Sequence, residues 1–182
     1  MSIPREPNPA KPVIGLFMKE KSLLEPAASE LVRMLGPADM VSAWLPFDYT
    51  DYYEPETGSP LFRRVFAFKE LMQQDFLAEI KLMTNALELK FAENGKRRVN
   101  IDPGYMLHER FVLATGKNYS HRIYIGKGIY ADLTLIYTKG SFQTLPWTYP
   151  DYADKTMFSF LGQVRNRYLS DMKNKKKPDI IP

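Results

Sequence analysis

What most constrains this chain is the order in which its apolar residues change period over the first hundred positions. Val13-Ile-Gly-Leu-Phe-Met18 is an apolar run of strand length, after which Leu24, Ala27, Ala28, Leu31, Met34 and Leu35 recur at helical spacing across residues 22–35. Pro26 fits only the first turn of that helix, and Gly36-Pro37 ends it. Residues 40–47 and 61–68 read as a second and third strand, the latter with Phe62, Phe66 and Phe68 on one parity. A second helix is predicted over residues 73–93, where Phe76, Ile80, Met83, Leu87 and Phe91 make an apolar stripe and Asn94-Gly95 supplies a left-handed stop. Val99-Asn-Ile101 then gives a fourth strand. The order β-α-β-β-α-β is that of a ferredoxin-like unit, with two helices over one face of an antiparallel sheet.

Beyond residue 101 the strand signals follow one another. Asp102-Pro103-Gly104-Tyr105 has the residues of a type II turn, Pro setting φ at the second position and Gly allowing φ > 0 at the third. Residues 110–115, 121–125 and 129–137 read as an antiparallel meander, with Gly126-Lys127-Gly128 as a hairpin loop and Gly140 at another turn. A final helix over residues 154–172 places Phe158, Leu161, Val164, Tyr168 and Met172 on one stripe. The expected fold is α+β: a ferredoxin-like core extended by an antiparallel β-meander and a C-terminal helix. It forms one domain over residues 13–172, between a flexible proline-rich arm (1–12) and a flexible basic tail (173–182).

Composition removes several function classes. Among 182 residues there is no cysteine, which excludes disulfides, thiolate metal sites, iron–sulfur clusters and cysteine nucleophiles. The opening MSIPREPNPAKP has no apolar run, and no apolar stretch approaches the ~20 residues of a bilayer span, so a soluble cytoplasmic protein without a membrane partner is expected. Of the net charge of +4, the last ten residues account for most, with Lys173, Lys175, Lys176 and Lys177 against Asp179. The body is nearly neutral, so the basicity is weak support for a nucleic-acid partner.

Three clusters could carry chemistry. Residues 48–58 hold four carboxylates and three phenols; they could bind a hard divalent cation such as magnesium, with Glu56 a ligand, or form a solvated loop whose tyrosines fold back onto the core. The acids lack the spacing of a calcium loop. In the second hairpin, alternation puts Arg122, Tyr124, Tyr130 and Asp132 on one surface with His121 at its edge. That surface could stack a ring and hold an anion, or could be a plain cross-strand ion pair. Lys96-Arg97-Arg98 and Lys117 are basic residues at turns, suited to phosphate or simply solvated. Nucleotide-loop motifs fail: the Gly116-Lys117 pair is followed by Asn118 and preceded at the required place by Phe111, and Gly126-Lys127 has His121 there. GxGxxG and GxSxG are absent.

Several segments taken together are specific. Thr84-Asn-Ala-Leu-Glu88, Arg98-Val-Asn-Ile-Asp-Pro-Gly-Tyr105, Leu113-Ala-Thr115, His121-Arg-Ile-Tyr124, Gly128-Ile-Tyr-Ala131 and Leu145-Pro-Trp-Thr-Tyr-Pro-Asp-Tyr152 resemble the prokaryotic domain-of-unknown-function family 4416, over residues 11–172. Tyr52-Tyr-Glu-Pro-Glu-Thr-Gly58 resembles its pattern too, with Thr57 in place of Met. Members are sometimes labelled GTP-binding, a label the motif test does not support. The resemblance implies signature positions at Asn85, Asn100, Asp102, Tyr105, His121, Arg122 and Tyr130, with Tyr53 and Glu56.

These readings converge on one expectation: a domain that binds a small anionic ligand, a nucleotide or phosphorylated metabolite, through Arg122 and Lys117, with Asn85, Asn100, Tyr105, Tyr124, Tyr130 and Tyr53 around it. If it is an enzyme, His121 or Asp102 is the acid or base. The alternatives are an RNA-associated module using a sheet face with aromatic and basic residues plus the lysine tail, or a protein-interaction domain without a small-molecule site.

Overall fold

The first apolar run lies in the middle of a sheet. In the computed structural model, which describes residues 1–47 and 59–175, β1 (Lys11–Met18) is buried at every position and hydrogen-bonded to a strand on each side. A strand covered on both faces reads as a continuous apolar run. It begins two residues before Val13, and Ala10 is bridged to Met72, so the end of the proline-rich arm is tied into the fold. Residues 48–58, with Tyr53 and Glu56, and residues 176–182 lie outside the described residues.

The other strands are β2 (Ala38–Val41), β3 (Leu45–Pro46), β4 (Phe62–Phe68), β5 (Val99–Met106), β6 (Arg110–Thr115), β7 (Arg122–Gly126), β8 (Ile129–Thr138) and β9 (Ser141–Thr144). Among the described residues they form one nine-stranded antiparallel sheet in the order β2-β4-β1-β5-β6-β8-β7, with β3 also on β4 and β9 on β8. Three α-helices among the described residues complete an α+β fold: α1 (Leu24–Leu35), α2 (Leu77–Lys90) and α3 (Lys155–Lys175). None is long and apolar enough to cross a membrane. On one face Ile14, Leu16, Phe66, Phe68 and Ile101 pack beneath Ala27 and Leu31 of α1 and Ile80 and Leu87 of α2. On the other, Val13, Val65, Met106, Phe111 and Leu135 meet Met157, Phe160, Leu161 and Val164 of α3.

Four readings of the sequence are corrected. The last strands do not form a sequential meander: ten-residue β8 pairs β6 along one side and shares its other side between β7 and β9. Asp102-Pro103-Gly104-Tyr105 is not a turn but the interior of β5. Pro103 lies where β5 has no β6 partner, since that pairing starts at Gly104, so its missing N–H costs no ladder bond on that side. Gly104 is required by close approach rather than by φ, because a Cβ there would stand 2.4 Å from the Val112 carbonyl oxygen. Asn94-Gly95 does not cap the helix: both residues have positive φ (52° and 74°) and form a two-residue hairpin turn closed by hydrogen bonds between Glu93 and Lys96. Finally, α2 buries Leu77, Ile80, Thr84 and Leu87, while Phe76 and Met83 of the expected stripe face outward.

Candidate functional site

Where β6 parts from β5, the sheet opens. Beyond Gly104↔Leu113 the two strands no longer pair, which leaves Ile101 with β1 on one side and no strand on the other. An unpaired backbone amide in a buried setting needs a substitute partner. Two α2 side chains supply it: Lys81 Nζ donates to the Ile101 carbonyl at 2.9 Å, and the Ile101 N–H donates to Glu88 Oε1 at 2.6 Å. The gap widens into a cavity of about 760 Å³. Its walls are α2, the open edge of β5, the end of β6 through Lys117, and the 149–152 segment; Arg63 and Phe47 also line it.

A chain of polar contacts runs along this wall. Arg97 Nη1 reaches Glu88 Oε2 (3.4 Å) and Asn100 Oδ1 (3.0 Å), Asn100 Nδ2 donates to Asp102 Oδ1 (2.9 Å), and Arg63 Nη2 donates to Asp102 Oδ2 (3.1 Å). Arg63 also pairs with Asp151. Its guanidinium lies over the rings of Phe17, Phe47 and Tyr152, at 5.4, 4.5 and 4.9 Å. Room for Tyr152 comes from Gly15, where a Cβ would lie 3.1 Å from the phenol oxygen.

Of the residues singled out in the sequence, Asn85, Arg97, Asn100, Asp102, Lys117 and Asp132 line this cavity. His121 and Arg122 do not; they meet it through Asp132, which does. Asp132 Oδ2 lies 3.2 Å from His121 Nε2 and accepts from Arg122 Nε at 2.9 Å. The rest of Arg122 is committed as well, Nη1 to the Lys117 carbonyl (3.0 Å) and Nη2 to the Tyr149 hydroxyl (2.8 Å). Burial opposes its charge, but the Asp132 hydrogen bond and the Tyr149 and Asp132 charges outweigh it and hold its pKa above the ordinary value. His121 stacks on Trp147 with ring centroids 4.7 Å apart, and Trp147 Nε1 donates to the Leu133 carbonyl. This cluster holds the 145–152 wall in place; Arg122 supports the cavity and does not face into it.

The remaining expected site residues lie elsewhere. The four residues that alternation puts on one surface pair directly across the strands, Arg122↔Asp132 and Tyr124↔Tyr130, and the two tyrosine rings lie 5.3 Å apart, away from the cavity lining. Tyr105 is buried against the N-terminal end of α2, and burial pushes its phenol pKa up. Tyr53 and Glu56 fall outside the described residues, within which no three histidine or carboxylate groups are gathered to hold a metal.

Sequence reasoning missed Arg63, Lys81, Glu88 and Asp151. Three of them had left a signal: Arg63 shares the parity of Val65 and Ala67 in β4, and Lys81 and Glu88 fall among Leu77, Ile80, Thr84 and Leu87 on the buried side of α2, where charge is unexpected. Burial raises the Glu88 pKa above the ordinary glutamate value, against the pull of Lys81, the Ile101 N–H and Arg97. Between the unfolded and folded values the native state keeps a proton that the unfolded chain has lost, so stability falls as pH rises through that window. Glu88→Gln is expected to flatten this fall, read from urea midpoints in a series of buffers upward from about pH 4.

The fold and site define an α+β protein with a charged, ligand-sized cavity at a parted sheet edge. The chain belongs to the family described as domain of unknown function DUF4416, whose model matches residues 8–168. No curated protein and no solved structure matches it.

Proposed function

We propose that the chain is a small-molecule-binding domain and that the cavity beside α2 is its site, taking a polar ligand with an anionic group, of nucleotide or phosphorylated-metabolite size. The observation that carries this reading is Lys81. It is 9% exposed, lines the cavity, and meets one hydrogen-bond acceptor among the described residues, the Ile101 carbonyl, although an ammonium has three donors. A buried ammonium gains from further acceptors, and a phosphate or carboxylate beside Asn85 supplies them. The cavity volume lies in the range of ligand sites, and Phe47, Tyr149 and Tyr152 add flat apolar wall. The neighbouring carboxylates each have a cation in contact, Asp102 and Asp151 sharing Arg63, Asp132 with Arg122, and Glu88 with Arg97, although Glu88 also feels the charge of Lys81. Of the two acid–base residues read from the sequence, Asp102 is the one that lines the cavity.

The N-terminal strand order β2-β4-β1-β5, with α1 and α2 on one face, supports reading that half as a ferredoxin-like unit. The RNA alternative draws no support from β4, because Phe66 and Phe68 are buried beneath the helices and present no stacking surface. A thermal-shift screen of the protein against nucleoside phosphates, sugar phosphates, inorganic phosphate and dicarboxylates tests the proposal. A ligand at about 100 times its dissociation constant stabilises by about 2.7 kcal/mol, a clear saturable shift. A flat response across all four classes would sink it.

A further inference from the structure

Helix α2 is apolar on both sides, for besides the buried Leu77, Ala78, Ile80 and Leu87 it has apolar side chains on its outer face. Lys81, Thr84 and Glu88 are buried, while Leu82, Met83, Ala86 and Leu89 are exposed, Leu89 to 72%. Exposed apolar side chains scattered singly need no explanation, but Leu82/Leu89 at i, i+7 and Met83/Ala86 at i, i+3 share one outer face. A helix apolar on its outer side is built to be covered.

We propose that this face pairs with α2 of a second copy of the chain about a two-fold axis at the level of Asn85 along the helix. An isologous contact must be self-complementary, and an antiparallel register makes this stripe so. Leu82 then lies opposite Leu89 of the partner subunit, and Met83 opposite Ala86 of the partner subunit, a large side chain against a small one. The ends agree in charge: Glu79 comes opposite Lys90 of the partner subunit, and the converse follows by symmetry. Both are already surface charges, Glu79 paired with Lys127 at 2.5 Å and Lys90 with Glu30 at 3.5 Å, so each can join a larger cluster without a new burial cost. A patch flanked by both signs suits a copy of itself better than an anionic lipid surface, which selects cationic flanks. The same helix would then present Lys81 and Asn85 to the cavity and its opposite side to the partner.

Sedimentation equilibrium of the full chain over a concentration series tests this. The wild type is expected to dimerise, and Leu89→Arg, at a site exposed enough in the single chain to leave its circular dichroism spectrum unchanged, to weaken the dissociation constant by at least about tenfold. Glu79→Lys and Lys90→Glu should each weaken the dimer, and the two together should restore it. Restoration cannot come from the intrachain pairs, since the double variant places a second cation beside Lys127 and a second carboxylate beside Glu30, like charges at both. A monomeric wild type, a dimer indifferent to Leu89→Arg, or a double variant no better than the singles overturns the proposal.

Discussion

Arg63→Leu is expected to destabilise the protein by about 3–5 kcal/mol, the range for removing one partner of a buried ion pair. Arg63 is 3% exposed and is the counter-ion of both Asp102 and Asp151. Leucine would leave the Asp151 carboxylate, itself buried, facing Asp102 with no cation between them. The variant also gives up the cation–π contacts with Phe17, Phe47 and Tyr152. In a chain of this size the loss corresponds to a fall in Tm of roughly 6–20 °C. Arg63→Lys should recover part of it, since a lysine keeps the charge but cannot serve two carboxylates in a planar fork. A melting curve for Arg63→Leu within about 2 °C of wild type would show that the pair contributes little.

Lys11→Met is the second large loss. Lys11 is fully buried at the start of β1 and donates from Nζ to Asp39 Oδ2 and Asp171 Oδ2, both at 2.9 Å. Arg167 Nε touches the same two carboxylates at 3.1 and 3.2 Å. These contacts tie the C-terminal part of α3 to β1 and β2 across the sheet. With methionine in place of lysine, two carboxylates share one half-exposed arginine, a loss of about 3 kcal/mol. Asp171→Asn in the Lys11→Met background is expected to regain part of that, because it removes the like-charge repulsion, whereas alone it destabilises. That sign reversal, read by urea unfolding of the four proteins in the cycle, separates electrostatics from lost packing; additive effects would contradict it.

Much of the fold was legible because burial imposes period on the sequence. The stripe of α3 and the continuous run of β1 were read correctly, since each element packs the surface its pattern describes. The shared surface of Arg122, Tyr124, Tyr130 and Asp132 was legible from alternation, whereas the register shift between Tyr124 and Gly126 beside the loop was not. Failures came where one residue type serves two physical ends. Pro and Gly at 103 and 104 carry turn chemistry, yet one stands at an unpaired edge and the other makes room for a neighbouring carbonyl. The contacts of Arg122 with Asp132, the Lys117 carbonyl and Tyr149 are seen only in the three-dimensional structure, because they join separate segments of the chain. Part of the cavity wall comes from charged residues inside apolar patterns. Lys81 and Glu88 break the buried side of α2, and Arg63 stands on the β4 parity of Val65 and Ala67, which face α3. A charge at an interior parity was the signal, and it was outweighed by polar residues on loops.

Ligand binding beside Lys81 is tested by calorimetric titration of the compound giving the largest thermal shift into wild type and Lys81→Met. Lys81→Met keeps much of the side chain's length and its apolar packing while removing the charge. The account predicts binding at least about thirtyfold weaker, the lower end of the cost of deleting one member of a buried charge pair. The same hit binding Lys81→Met and wild type with equal affinity would contradict it and move the site away from this cavity.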